Sequence, residues 1–330
     1  MKLGVIDLGT NALRFSVYEQ QEDFSCLRVH REKHTLQLGD EVFSRQSLSD
    51  RFLSDRALKR TVMACSLVRM SSFRLKVREL VGVATSAVRE AANGQEFLSA
   101  VTEKSGLPLS VISGNHEAHL IGRGAAWKQP PASHPQAILD IGGGSTELCI
   151  IRRGEVAAFV SLPFGGARLA KHLYADATGK DNREETLYLL VLELRAKLYP
   201  FLNSQRLGRF SEVLCSSGTI RALLSYIERA QLLGGAQCTI ADVSSARKQI
   251  ARVSPRKLRK ILPLSQSWRW SHLLGTSVLL EEMMRALGAD SVTGIKTSLA
   301  DGIAVDYFTR TSRGRESASC QFSLPALRCA

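Results

Sequence analysis

Ala137-Ile138-Leu139-Asp140-Ile141-Gly142-Gly143-Gly144-Ser145-Thr146, continuing as Glu147-Leu148-Cys149-Ile150-Ile151, is the stretch on which the reading of the fold rests. An apolar run ends in a carboxylate, three glycines reverse the chain, and a second apolar run leaves again. That is the pattern of strand, tight turn and strand, with glycine supplying the backbone freedom the turn needs. The same design stands 133 positions earlier. There Leu3-Gly4-Val5-Ile6-Asp7 ends in Asp, Gly9-Thr10-Asn11 turns the chain, and Leu13-Arg14-Phe15-Ser16-Val17-Tyr18 alternates as a strand does. The separation is about one domain length. The repeat predicts a duplicated α/β architecture, two halves each opening on such a hairpin, with a cleft between them.

Outward from the hairpins, residues 51–70 read as helix, Val81-Gly82-Val83-Ala84 as a buried strand, and Ser86 to Ala100 as helix. Arg209 to Leu214 reads as strand and Thr219 to Arg229 as helix. Residues 240–262 read as one basic helical stretch, and Gly124 to Pro131 as a hinge. The expected domains are 1–125 and 126–310, followed by a polar, aperiodic tail at 311–330 expected to be flexible.

With 330 residues, 44% of them hydrophobic, the chain has apolar material for two cores rather than disorder. No stretch has the length of a membrane span, and a carboxylate as early as Asp7 is out of place in a secretory leader. No membrane partner is therefore expected. Seven cysteines, odd in number and without C-x-x-C spacing, fit reduced thiols in a cytoplasm rather than disulfides or a zinc site. The net charge of +13 favours capture of a polyanion. Aromatic residues are only 6%, which argues against nucleic acid, whose single strands stack on aromatic platforms. A homodimer is compatible with this composition.

Phosphate oxygens need donors, and backbone N–H groups in glycine turns provide them. Gly142, Gly143, Gly144, Ser145 and Thr146 form one candidate cradle, and Gly9, Thr10 and Asn11, with Arg14 just beyond, form another. Carboxylates beside a phosphate repel it unless a hard cation such as Mg²⁺ stands between, so Asp7, Asp140 and Glu147 are candidate metal ligands. Hydrolysis needs a base for water. Glu117, in Ser113-Gly114-Asn115-His116-Glu117-Ala118-His119, is read either as that base or as an acid favoured by the positive end of a helix. Arg89, in the first turns of a helix, is read either as a bidentate clamp on phosphate oxygens or as a solvated arginine of the helix face, and the company of the two glycine turns favours the clamp. A competing pattern is Cys215-Ser216-Ser217-Gly218-Thr219-Ile220-Arg221, the C-x₅-R of cysteine-dependent phosphatases, but it leaves both Asp-Gly turns unexplained.

Taken in order, GVIDLGTNALRFSVYE (4–19), GVATSAVREAANGQEF (82–97), VISGNHEAHLI (111–121), ILDIGGGSTEL (138–148), SLPFGGARL (161–169) and SSGTIRAL (216–223) resemble the exopolyphosphatase/guanosine pentaphosphate phosphatase (Ppx/GppA) family. The resemblance covers nearly all of residues 1–310 and is to the short form, without the helical C-terminal domain. It implies two ribonuclease-H-like domains of the actin and sugar-kinase superfamily, with mixed sheets around a central cleft. It implies metal-dependent attack of water on a terminal phosphate anhydride, with Glu117 as base. Asp140, Gly142 and Glu147 would fall on metal and phosphate positions, and Arg89 and Asn93 on substrate contacts. Inorganic polyphosphate is the expected substrate, with pppGpp or a nucleoside polyphosphate as the alternative. A kinase or ATPase of the superfamily, or a non-catalytic binder of polyphosphate or alarmone, are the readings from other classes. The chain departs from the family at His116 and His119, where Glu and Arg are usual, at Gln37, and over residues 264–275.

Overall fold

The computed structural model describes residues 1–21, 25–44, 50–174, 183–312 and 327–328, and they form two compact units. Strand β1 (Lys2–Leu8) runs into β2 (Ala12–Gln20) and β3 (Cys26–Thr35), an antiparallel meander. A short α1 (Gly39–Val42) precedes α2 (Asp55–Arg74), and β4 (Glu79–Ala84) then pairs parallel to β1. Helices α3 (Ser86–Glu90) and α4 (Gly94–Ser105) lead to β5 (Leu109–Val111), parallel to β4, and to α5 (Gly114–Lys128). Alternation along β1 sets the layers. Ile6 and Leu8 join a core with Leu13, Phe15 and residues of α2 and α4. Leu3 and Val5 join the opposite core, with Leu120 and Ile121 of α5.

The second unit repeats the plan. β6 (Gln136–Ile141), β7 (Thr146–Arg152) and β8 (Glu155–Leu162) form the antiparallel meander. Helices α6 (Gly166–Leu173) and α7 (Arg183–Ser204) precede β9 (Glu212–Cys215), which pairs parallel to β6. Then come α8 (Gly218–Arg229), β10 (Cys238–Thr239), α9 (Ile240–Arg252), α10 (Pro255–Ile261), a 3-10 turn over Leu264–Arg269, α11 (His272–Leu287) and β11 (Ser291–Gly294). β11 lies parallel to β9, with β10 on its far edge. Each sheet has six strands, and in each a meander is continued by parallel strands. That is the duplicated α/β, ribonuclease-H-like architecture.

The last described helix, α12 (Leu299–Ser312), belongs with Met1–Lys128 rather than with the second unit, whose span is Gln129–Thr297. Assigning residues 298–310 to the second domain is therefore corrected. The reason is a buried anchor: Asp301 accepts bonds from Tyr18 Oη (2.9 Å), Lys128 Nζ (2.7 Å) and Ser298 Oγ (2.6 Å), all within the first unit. One residue on, Gly302 lets α12 cross α5 at backbone distance, since a Cβ there would stand 1.7 Å from the Leu120 carbonyl oxygen. The residues read as a hinge are in part helix, because α5 runs to Lys128.

Two helices expected to be continuous are broken. The run from Ser86 stops at Glu90, and α4 restarts at Gly94, where a Cβ would meet the Val88 carbonyl at 2.0 Å. The basic stretch divides at Val253 and Ser254, which are extended ahead of Pro255, the first residue of α10. Most of the tail at 311–330 lies outside the described residues. Residues 311–312 end α12, and β12 (Leu327–Arg328) pairs antiparallel to β4.

Candidate functional site

In the first unit the turn at Gly9 is closed by its N–H donating to Ala12 O at 3.0 Å. The carbonyls of Thr10 and Asn11 accept from Gly39 (2.9 Å) and from Leu36 and Gln37 (3.0 and 3.1 Å), which ties the turn to the segment before α1. Gln37 holds a φ of +55° there. Asp7 lies directly across the hairpin from Arg14, whose guanidinium donates to it at 2.9 Å. By parity with Leu3 and Val5, Asp7 points to the sheet face that carries α5.

Glu117 sits in the first turn of α5 and is buried. Its N–H bonds Ser113 O, while the Ser113 hydroxyl accepts from the His116 N–H at 3.1 Å, so Ser113 closes the start of this helix. Arg89 of α3 donates to the Glu117 carboxylate and to the Ile112 carbonyl, each at 3.0 Å. The structure thus brings Glu117 and Arg89 together. Asn93 is placed elsewhere: its amide accepts from Leu53 N and donates to Leu53 O, both at 2.9 Å, pinning that peptide. His116 and His119 lie in the fields of Asp306 and Arg310 on α12. Burial pushes both imidazoles below their usual range.

The second hairpin has the same closure, Gly142 N–H to Ser145 O at 2.9 Å. Its carbonyls are held by α6: Gly142 O accepts from Gly166 N, Gly143 O from Ala167 N and Arg168 N, and Gly144 O from Arg168 Nε at 2.8 Å. A Cβ at Gly165 would strike Gly143 O at 2.5 Å, so the contact requires glycine. With its carbonyls occupied, the loop has N–H donors to offer, the polarity an anion needs. Thr146 turns inward, its hydroxyl donating to Phe164 O at 2.6 Å, and Ser145 is buried. Asp140 and Glu147 are register partners on β6 and β7 and so share a face. Ser216 Oγ donates to Asp140, and Ser161 Oγ to Glu147 at 2.8 Å.

Two carboxylates opposed across a hairpin repel each other unless a cation joins them. Among the described residues no group of three or more His, Cys, Asp or Glu is assembled for a metal. A two-carboxylate site fits Mg²⁺, which is commonly held by one or two carboxylates and keeps several waters. Asp7 is bound to a guanidinium instead. Cys215 is fully buried at the end of β9, and burial, then the nearby Asp140, push its thiol well above the usual range. A nucleophilic thiolate needs the reverse. The other described cysteines, Cys26, Cys65, Cys149 and Cys238, are also buried and form no disulfide among the described residues. Sequence reasoning missed Arg168, Ser161 and Ser216 as supports of the loop and the carboxylates. Their only signal was position inside the matching segments 161–169 and 216–223.

The second unit thus sets a glycine turn with N–H donors, the polarity an anion needs, beside two carboxylates that face each other. Residues 16–311 match the Ppx/GppA phosphatase family, and the chain belongs to that family. It is 34% identical over 176 residues to an uncharacterized protein of Streptomyces coelicolor, a match covering 53% of this chain and 50% of that one, so the chain spans half the length of that relative. It is 26% identical to exopolyphosphatase 2 of Mycobacterium tuberculosis, covering 92% of this chain and 98% of that one. A crystal structure of an exopolyphosphatase from Cytophaga hutchinsonii superposes with a TM-score of 0.79 at 22% identity, over 94% of this chain and 98% of that one.

Proposed function

We propose that the chain is an exopolyphosphatase, removing terminal orthophosphate from inorganic polyphosphate. The observation that carries the reading is the second hairpin, where Asp140 and Glu147 stand opposed beside the Gly142–Gly144 turn. The high coverage of mycobacterial proteins named exopolyphosphatase and the +13 charge support polyphosphate as the substrate class. Asp140 and Glu147 would hold Mg²⁺, which when bound offsets the negative charge of the phosphate and of the two carboxylates. The N–H groups of Gly143 and Gly144, kept in place by α6 and Arg168, orient terminal phosphate oxygens.

Glu117 takes the proton of the attacking water. The water oxygen bonds the terminal phosphorus, the bridging P–O bond breaks, and the shortened chain leaves with the bridging oxygen. Arg89 fixes the direction of the Glu117 carboxylate. Phosphate release from long-chain polyphosphate, pppGpp and ATP, measured side by side with and without EDTA, tests this. EDTA-sensitive release fastest from polyphosphate is expected. Faster release from pppGpp would assign the chain to guanosine pentaphosphate hydrolysis, and release from none with tight binding to one would make it a binder.

A further inference from the structure

Helix α2 is amphipathic in the reverse of the usual sense. The side it buries against its own unit is small: Ala57, Thr61, Ala64, Cys65, Val68 and Ser71. Its large apolar residues point outward, with Met63 69%, Leu67 42%, Met70 66% and Phe73 85% exposed. At about 100° per residue, Met63, Leu67 and Met70 fall within roughly 60° of one another, and Phe73 lies about 60° further round. Arg56, Lys59 and Arg74 emerge on the same side and are exposed, and Asp55 is the one acid in the helix. Arg60 and Arg69, by contrast, turn back to Glu41 and to the Ser105 carbonyl. A surface helix with an exposed apolar row is a docking face rather than scattered exposure.

The charges decide what docks. A second copy would bring the same cations face to face, which disfavours self-association. A protein groove encloses most of a helix, whereas α2 already packs Ala57, Ala64, Cys65 and Val68 against its own unit. A flat anionic surface needs only the outward half. We propose that α2 seats the protein on an anionic lipid bilayer. Met63, Leu67, Met70 and Phe73 enter the headgroup boundary, and Arg56, Lys59 and Arg74 meet lipid phosphates. This is attachment to a surface, not crossing: among the described residues no helix is long and apolar enough to span. It departs from the expectation of no membrane partner, which rested on spanning segments and a leader alone. It does not depend on the proposed enzymatic activity.

The test is co-flotation of the full chain with vesicles of phosphatidylcholine alone, or with about one third phosphatidylglycerol. Flotation with the anionic vesicles only, weakened by added salt, is expected. Replacing Met63, Met70 and Phe73 together by serine should cut partitioning at least ~10-fold. Reversing Arg56, Lys59 and Arg74 to glutamate should cut it roughly a hundredfold. All six side chains are exposed, so both variants should melt as the parent does, and a matching melt is the control for folding. Phe73→Trp should gain fluorescence quenching by brominated lipid, the signature of insertion. Absence of flotation with anionic vesicles would overturn the proposal. So would full binding by the serine variant, which would mean adsorption by charge alone. A concentration-dependent dimer lost in the serine variant, without vesicle binding, would assign the face to a second copy instead.

Discussion

Gly302→Ala sets two effects of opposite sign against each other. Alanine in a helix interior is favoured over glycine by about 1 kcal/mol, so propensity alone predicts a more stable protein. The geometry predicts the reverse. The new methyl would lie 1.7 Å from the Leu120 carbonyl oxygen and 2.5 Å from its carbon, both backbone atoms of α5. Reaching ordinary contact would require α5 and α12 to part by about 1.5 Å. Sliding α12 aside is resisted by Asp301, the preceding residue, bound to Tyr18 and Lys128. Overpacking of this kind costs about 1–3 kcal/mol and more where backbone cannot give, so a net loss of roughly 2 kcal/mol is expected. At about 2–4 °C per kcal/mol for a unit of this size, Tm should fall by roughly 4–8 °C. Glu117 precedes Leu120 by three residues on the same helix, so turnover should drop as well. A displacement of about 1 Å can cost up to ~10²-fold in rate. Thermal melts and phosphate-release rates of the variant are compared with Gly208→Ala, where a Cβ meets nothing within 4 Å. An unchanged or raised Tm for Gly302→Ala would refute the close crossing of α5 and α12.

Three further outcomes are expected. Glu117→Gln keeps the Arg89 contact in shape but removes the proposed base, so kcat should fall about 10²–10⁴-fold with substrate binding retained; near-normal kcat would remove Glu117 from the mechanism. Cys215→Ser should keep most activity while EDTA abolishes it, and a dead serine variant indifferent to EDTA would restore the cysteine mechanism. Burial, followed by Arg269 and Lys171, pushes His272 down to about 3, so the folded state resists a proton that the unfolded chain accepts below its ordinary value near 6.5. Stability should therefore fall as pH drops from about 6.5 towards 3, by about 2 kcal/mol at pH 5. Urea melts of His272→Asn should show a pH 7-to-5 loss smaller by that amount; an identical slope would show that His272 contributes nothing to it.

The parts of the fold that were legible were those written in local pattern. An apolar run, an Asp and a glycine turn specify a hairpin within about a dozen residues, and doing so twice specifies a duplicated plan. The parts that were not legible depend on partners far along the chain. Nothing near residue 300 says that α12 returns to the first unit; that follows from Asp301 meeting Tyr18, 283 positions away. Asn93 reads as a polar residue between helices, and its bonds to Leu53 cannot be inferred without the fold. The break before Pro255 is the exception, being written locally: a proline holds the residue ahead of it extended, and the run of basic residues across it carries no such information.

What separates the two hairpins in charge is a single position. In both, an aspartate is followed seven residues later by the side chain directly across the strand pair, Arg14 opposite Asp7 and Glu147 opposite Asp140. With arginine there, the carboxylate is neutralised within the protein and the strand pair is self-sufficient. With glutamate there, two carboxylates face each other, and serine hydroxyls from β8 and from just beyond β9 donate to them. A backbone plan used twice thus pairs a carboxylate with a guanidinium in one unit and with a second carboxylate in the other, where the proposed function would put a cation. On this reasoning Glu147→Arg should convert the second hairpin to the chemistry of the first. The variant should lose the stabilisation that Mg²⁺ is expected to give the parent. If its Tm still rose with added Mg²⁺ as the parent's does, the cation would have to sit elsewhere, and the distinction between the hairpins would fall.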